Sequence, residues 1–232
     1  MPEVVCVLEE IHDGPDGVEG ALRCPPTLRP NAGQYLLAHI AGGDDVLPTP
    51  LFASGIREHG LQLAGPLPAA WTVGTRLAVR GPLGRGFKLP VNARHIVLAS
   101  LNAHGSLLGL LVEMALSREA PKAETSVVFC GDSPAAGFPS EVEMLLLDSL
   151  PDLLSWADYL ALDVDQKQLP ELRGLLHLAP GQRCPVTAQV LVETPLACGG
   201  LAQCGLCAVE TRRGWKLACE DGPVFDMDEL EI

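Results

Sequence analysis

Residues 95–116 read HIVLASLNAHGSLLGLLVEMAL. Residues 96–99 are apolar without a break, the mark of a strand covered on both faces. Ser106 stands where it can cap a helix, and Leu107, Leu110, Leu111 and Met114 follow at the spacing of one buried stripe. A covered strand that feeds a helix is the unit of an α/β layer, and the pattern recurs downstream. Residues 126–130 (SVVFC) and 159–164 (YLALDV) read as further strands, a short helix is expected over 169–176, and residues 186–192 read as a last strand. Residues 141–147 fit two patterns. Ser140 with Glu143 resembles a capping box, whereas Val142, Met144 and Leu146 alternate as in a strand. We read a strand there with a helix over 150–156, which keeps the β, α, β order and implies a mainly parallel sheet over residues 93–194.

Towards the amino end the grammar changes. Short apolar stretches at 4–8, 34–40 and 76–79 are separated by Pro- and Gly-rich turns, and the segment ends in GPLGRGF at 81–87. Residues 1–92 therefore read as a small antiparallel β-barrel or sandwich. The fold class expected is mixed β and α/β.

Twenty-nine acids against sixteen bases give a net charge of −13, which repels phosphate backbones and anionic lipid headgroups. Nucleic-acid and membrane-surface partners are thereby disfavoured. Two Tyr, three Trp and five Phe are too few for a base-stacking platform. No apolar run approaches the roughly 20 residues of a membrane span, and Met1-Pro2-Glu3 lacks the basic start of a signal peptide, so a cytoplasmic location is expected. In a reducing compartment eight cysteines are not expected to form disulfides, so clustering among them points to metal or redox chemistry.

Four of the eight do cluster. Cys198, Cys204, Cys207 and Cys219 follow the spacing C-x5-C-x2-C-x11-C, and three of them lie in the loop ACGGLAQCGLC at 197–207. Gly199, Gly200 and Gly205 let backbone N–H groups draw close to sulfur and supply the φ values that such a wrap needs. The pattern is one residue from the plant-type [2Fe–2S] spacing. Four thiolates would also satisfy structural zinc, although only one C-x2-C knuckle is present; no His lies between Cys198 and Cys219 to serve a Rieske centre. Four unligated thiols are the third reading. Cys6, Cys24, Cys130 and Cys184 show no ligand spacing and read as buried free thiols.

The loop at 197–207, the run GWKLACEDGPVF at 214–225 and the GPLGRGF segment together resemble the electron-transfer subunit of dihydroorotate dehydrogenase. The resemblance implies a barrel that binds FAD, a ferredoxin-reductase-type α/β domain that binds NADH, and a module at 195–232 that carries one [2Fe–2S] cluster on the four cysteines. It further implies an FMN-containing catalytic subunit as partner and a role in pyrimidine synthesis. At the flavin position this chain reads Thr49, Pro50, Leu51, Phe52; Thr49 stands for an arginine and Phe52 for a serine, and a threonine cannot neutralise a diphosphate. Arg57, Arg76, Arg80 and Arg85 are the nearby cations, each readable as solvated surface. The dinucleotide turn SLNAHGS at 100–106 holds one glycine, and Leu162-Asp163-Val164 replaces the family's Cys-Gly-Pro. NAD(H) is accordingly not expected to bind, and His104 and Asp163 read as loop surface.

The expected function is one-electron relay, because a one-electron cluster cannot take up hydride and no residue serves as base or nucleophile for dihydroorotate. Two alternatives stay open: a self-contained FAD and [2Fe–2S] reductase using NAD(P)H, and a zinc-stabilised interaction module without redox activity.

Overall fold

The computed structural model describes residues 2–14, 17–43, 47–102, 105–118, 125–131 and 138–232. Six strands close into a barrel: β1 (Val4–Gly14), β2 (Gly17–Arg23), β3 (Tyr35–Ile40), β4 (Thr49–Arg57), β5 (Gly60–Leu63) and β6 (Arg76–Leu83), in the order β1-β2-β5-β4-β3-β6 with β6 returning to β1. All barrel pairs are antiparallel. Of the two antiparallel forms the sequence allows, the closed one is found, and closure leaves no bare edge.

The second layer is a sheet of β7 (His95–Ser100), β8 (Ser126–Cys130), β9 (Val142–Leu145), β10 (Tyr159–Asp165), β11 (Thr187–Glu193) and β14 (Val224–Asp226), ordered β14-β11-β10-β7-β8-β9. The pairings from β11 through to β9 are parallel, as the alternating β and α pattern predicts, and the strand reading of 141–147 is correct. Between β11 and β14 the chain forms a hairpin of β12 (Ala208–Thr211) and β13 (Gly214–Leu217).

The middle strands β7, β8 and β10 are largely apolar because each serves two cores. Ile96, Leu98, Val127, Phe129, Tyr159 and Ala161 face the core shared with the barrel, whereas Val97, Ala99, Val128, Leu160, Leu162 and Val164 face a second core. Strand β3 is divided in the same way. Leu36 and Ala38 fill the barrel, while Tyr35 and Leu37 join the second core together with Cys207, Cys219 and Phe225. The barrel wall thus contributes directly to the seat of the cysteine-bearing tail.

Helices depart furthest from expectation. Ser106 is not the cap of α1: it lies in a 3-10 turn (Gly105–Leu108), and α1 (Gly109–Leu116) starts after it, behind Leu108, with no side-chain cap. Glycine is needed at 109 for the close approach to β4, since a Cβ there would meet the Ser54 carbonyl oxygen at 2.5 Å. Wedged between β4 and the sheet, the segment buries Leu107, Leu108, Leu110, Leu111, Val112 and Ala115, more than one stripe, with Met114 only partly covered. Over 150–156 the helix is one turn, α2 (Leu150–Leu153). Over 169–176 a 3-10 helix (Gln166–Glu171) containing Pro170 precedes α3 (Leu172–Leu175). Proline removes an N–H and collides with the preceding turn, which keeps an α-helix from running through it. No helix among the described residues is long and apolar enough to cross a membrane.

Beyond Phe225 the run DMDELEI reads as an acidic tail, yet Met227 and Leu230 are buried in the second core. Strand β14 pairs antiparallel with β11, so the chain returns to the central sheet after its cysteines. The two short motifs that carry the family resemblance meet at this point. The Arg85 amide donates to the Gly222 carbonyl, and the Val224 amide donates back to Arg85 at 3.4 Å. A Cβ on Gly84 would lie 2.6 Å from the Gly222 oxygen, which accounts for the glycine.

Candidate metal centre

The loop after β11 turns through four residues of positive φ: Gly199 (62°), Gly200 (71°), Ala202 (55°) and Gly205 (73°). Left-handed backbone is inexpensive for glycine and strained for alanine, so Ala202 is held there by its surroundings. The result is a concave run of amides turned towards sulfur. Cys198 accepts from the backbone N–H groups of Gln203, Cys204 and Leu201, and these donors draw its thiol down to about 6 from an ordinary 9.0. Cys219 lies on the opposite wall with Cys207, both buried, and accepts from the Ala202 amide. Burial, then the neighbouring Cys207, pushes the Cys219 thiol up to about 12.

All four predicted cysteines lie on this loop and its facing wall as two neighbouring pairs, Cys198 beside Cys204 and Cys207 beside Cys219. Cys204 is exposed and Cys198 half-buried, so one pair faces outwards and the other inwards. Among the described residues no three His, Cys, Asp or Glu side chains close on one point as ligands of a single ion would. Of the other cysteines, Cys6, Cys24 and Cys130 are buried as expected, whereas Cys184 is only half-buried.

Two further residues hold the loop, and neither is marked for that role by its place in the sequence. Tyr35, fully buried, donates its hydroxyl to the Cys219 carbonyl at 3.0 Å. Arg80 on β6 donates to the Gly199 carbonyl. Glycine is required where they approach: a Cβ on Gly200 would lie 3.0 Å from the Tyr35 oxygen, and one on Gly199 would lie 2.8 Å from Pro48.

Residues 193–231 match the family model described as the iron–sulfur cluster binding domain of dihydroorotate dehydrogenase B. The tail is similar to an iron–sulfur domain of that type. Its donor set fits the group: four thiols, inward-turned amides, and a backbone wrap that side chains would obstruct. The fold as a whole is ferredoxin-reductase-like. The NADH-dependent reduced ferredoxin-NADP oxidoreductase superposes with a TM-score of 0.72 at 15% identity, over 98% of this chain and 90% of that one. Phthalate dioxygenase reductase gives 0.51 at 15% identity over 82% and 67%. The ferredoxin-NADP+ reductase of Plasmodium falciparum gives 0.59 at 9% identity over 82% and 96%. No curated protein matches the chain significantly.

Away from the iron–sulfur domain, Thr49, Pro50, Leu51 and Phe52 line a cavity of about 250 Å³ between β4 and the end of β11. Among the described residues the only charged one lining it is Glu193, so a cofactor diphosphate would meet no cation there. None of the four nearby arginines lines it: Arg57 pairs with Glu10 at 2.8 Å, Arg85 lies 3.8 Å from Asp221, Arg80 serves the cysteine loop, and Arg76 is exposed. The carboxyl ends of the parallel strands, where such sheets usually take a nucleotide, are filled from within the chain. Asp163, expected on a loop surface, is instead fully buried in β10 and accepts from the Ser100 hydroxyl at 3.0 Å. Asn102 donates to Glu193 beside it. His104 lies outside the described residues.

Proposed function

We propose that this chain is an iron–sulfur electron-transfer subunit that relays single electrons to or from a flavin-containing dihydroorotate dehydrogenase catalytic partner in pyrimidine biosynthesis. In this reading residues 1–92 are the supporting barrel, 93–194 a dinucleotide-type domain whose site is degenerate, and 195–232 the cluster module, with Cys198, Cys204, Cys207 and Cys219 as ligands. The observation that carries it is the pairing of the thiols, because a [2Fe–2S] unit takes two thiolates on each iron. When bound, such a cluster supplies one-electron transfer and nothing more.

This chain's own residues do the rest. The amides of Leu201, Gln203 and Cys204 stabilise negative charge on the outer sulfur, and Tyr35 and Leu37 keep water from the inner pair. Partner docking is supported by bare apolar side chains beside the thiols. Leu47 and Leu201, more than half exposed, line a crevice of about 570 Å³ with Cys198, and Leu206 is bare next to Cys207. A cavity without cations and a carboxylate-filled sheet edge argue against a complete NAD(P)H-dependent flavoenzyme.

Protein purified without oxygen is expected to contain iron and acid-labile sulfide in equal amounts, with no released flavin. Cys204→Ser should remove most of the visible absorbance while leaving the far-ultraviolet circular dichroism unchanged. Mixing with an FMN-containing dihydroorotate dehydrogenase catalytic subunit should give a stable complex in which dihydroorotate bleaches those bands. Stoichiometric zinc without sulfide would replace this reading with a structural metal module.

A further inference from the structure

Arg80 stands out among the residues around the cysteine loop. It belongs to β6, where it pairs in register with Leu37 of β3, yet its guanidinium leaves the barrel wall to donate to the Gly199 carbonyl, one residue after Cys198. It also lines the crevice that Cys198, Gly199 and Leu201 border. The other basic residue lining that crevice is His39, which lies 3.9 Å from Glu3. Arg80 is therefore the permanent cation beside the outer thiol pair, in a chain whose net charge is −13. Tyr35, which holds the Cys219 carbonyl, lies within the electrostatic reach of the same guanidinium.

We propose that Arg80 is a positioning residue that sets the reduction potential of the cluster, raising it by favouring the more negative, reduced form. The inference rests on the ligand assignment above. Its physical basis has two parts. Reduction adds one negative charge to the group that the four thiolates enclose, and a fixed cation outside the ligand shell stabilises that charge more than it stabilises the oxidised form. The guanidinium also fixes the plane of the peptide between Gly199 and Gly200. The carbonyl of a trans peptide points opposite to its N–H, so anchoring one orients the other within the loop. The barrel then has a role that needs no flavin: it carries the charge that tunes the tail.

The test is a mediator titration of the anaerobically purified full chain, followed by electron paramagnetic resonance, with iron and sulfide measured on each sample. Arg80→Gln keeps an N–H donor and drops the charge; Arg80→Lys keeps the charge and loses the planar fork. Arg80→Gln is expected to retain iron and sulfide while its midpoint moves to a more negative potential. The reduced-to-oxidised ratio at a fixed poise should fall at least tenfold, or 59 mV for a one-electron couple. Arg80→Lys is expected to recover most of that shift. A fully loaded Arg80→Gln with an unmoved midpoint would overturn the proposal. So would loss of iron from both variants with the circular dichroism intact, which would make Arg80 an assembly residue only. Wild-type protein without iron would instead strike the ligand assignment, and the Arg80 proposal with it.

Discussion

Tyr35 shows how much one side chain can link. Its ring is packed in the second core, 6.0 Å between centroids from Phe52, and its hydroxyl reaches across to the peptide of Cys219. Burial pushes the Tyr35 phenol well above its ordinary range, so the hydroxyl stays a donor at any pH the protein meets. Tyr35→Phe leaves the ring and strands the buried carbonyl of Cys219. The expected loss is about 1–3 kcal/mol, measured as a lowered urea midpoint at unchanged slope. Residue-level reading of the sequence reached the thiols and glycines because thiolates and positive φ have recognisable spacing and composition. It could not reach Tyr35 or Arg80, whose work depends on a contact spanning more than a hundred residues.

At the scale of elements, the starts of β7 and β10 are tied by Asp158. Its carboxylate accepts from the Arg94 and His95 amides at 2.8 and 2.9 Å, and its own amide donates to the His95 carbonyl. These N–H donors, that of His95 foremost, hold Asp158 below the usual carboxylate range. The folded state therefore binds fewer protons here than the unfolded one. The stabilisation is present above the ordinary carboxylate value and fades as pH falls through the lower folded one. Asp158→Asn should lower the denaturation midpoint slightly at pH 7, by under about 1 kcal/mol for so exposed a group, with the difference shrinking in acid. The long strands were legible because burial on both faces leaves an unbroken apolar run. The short helices were not, since a single turn shows no periodicity and Pro170 interrupts the helical run before α3. Strand β14 was hidden for the same reason: three residues carry no period.

Over the whole molecule, barrel, sheet and tail share their cores. Phe225 is 2% exposed at the meeting of β14, β11 and the cysteine loop. Phe225→Ala should cost about 3–5 kcal/mol and lower iron content as well, read by thermal melting and metal analysis. Removing iron with a chelator should lower the melting temperature yet leave one cooperative transition, because the tail stays anchored through β14 and the contacts between Arg85 and Gly222. Two separate transitions would show instead that the tail melts by itself.

The late return of β14 to the sheet also bears on biogenesis. During synthesis β11 leaves the ribosome before the cysteines do, and its outer edge stays unpaired until the residues after Cys219 have emerged. Docking of that final strand brings Cys219 to the inner wall, so the nascent chain acquires its last sulfur in the same step that seals its sheet. Iron delivered before then meets an incomplete set of donors.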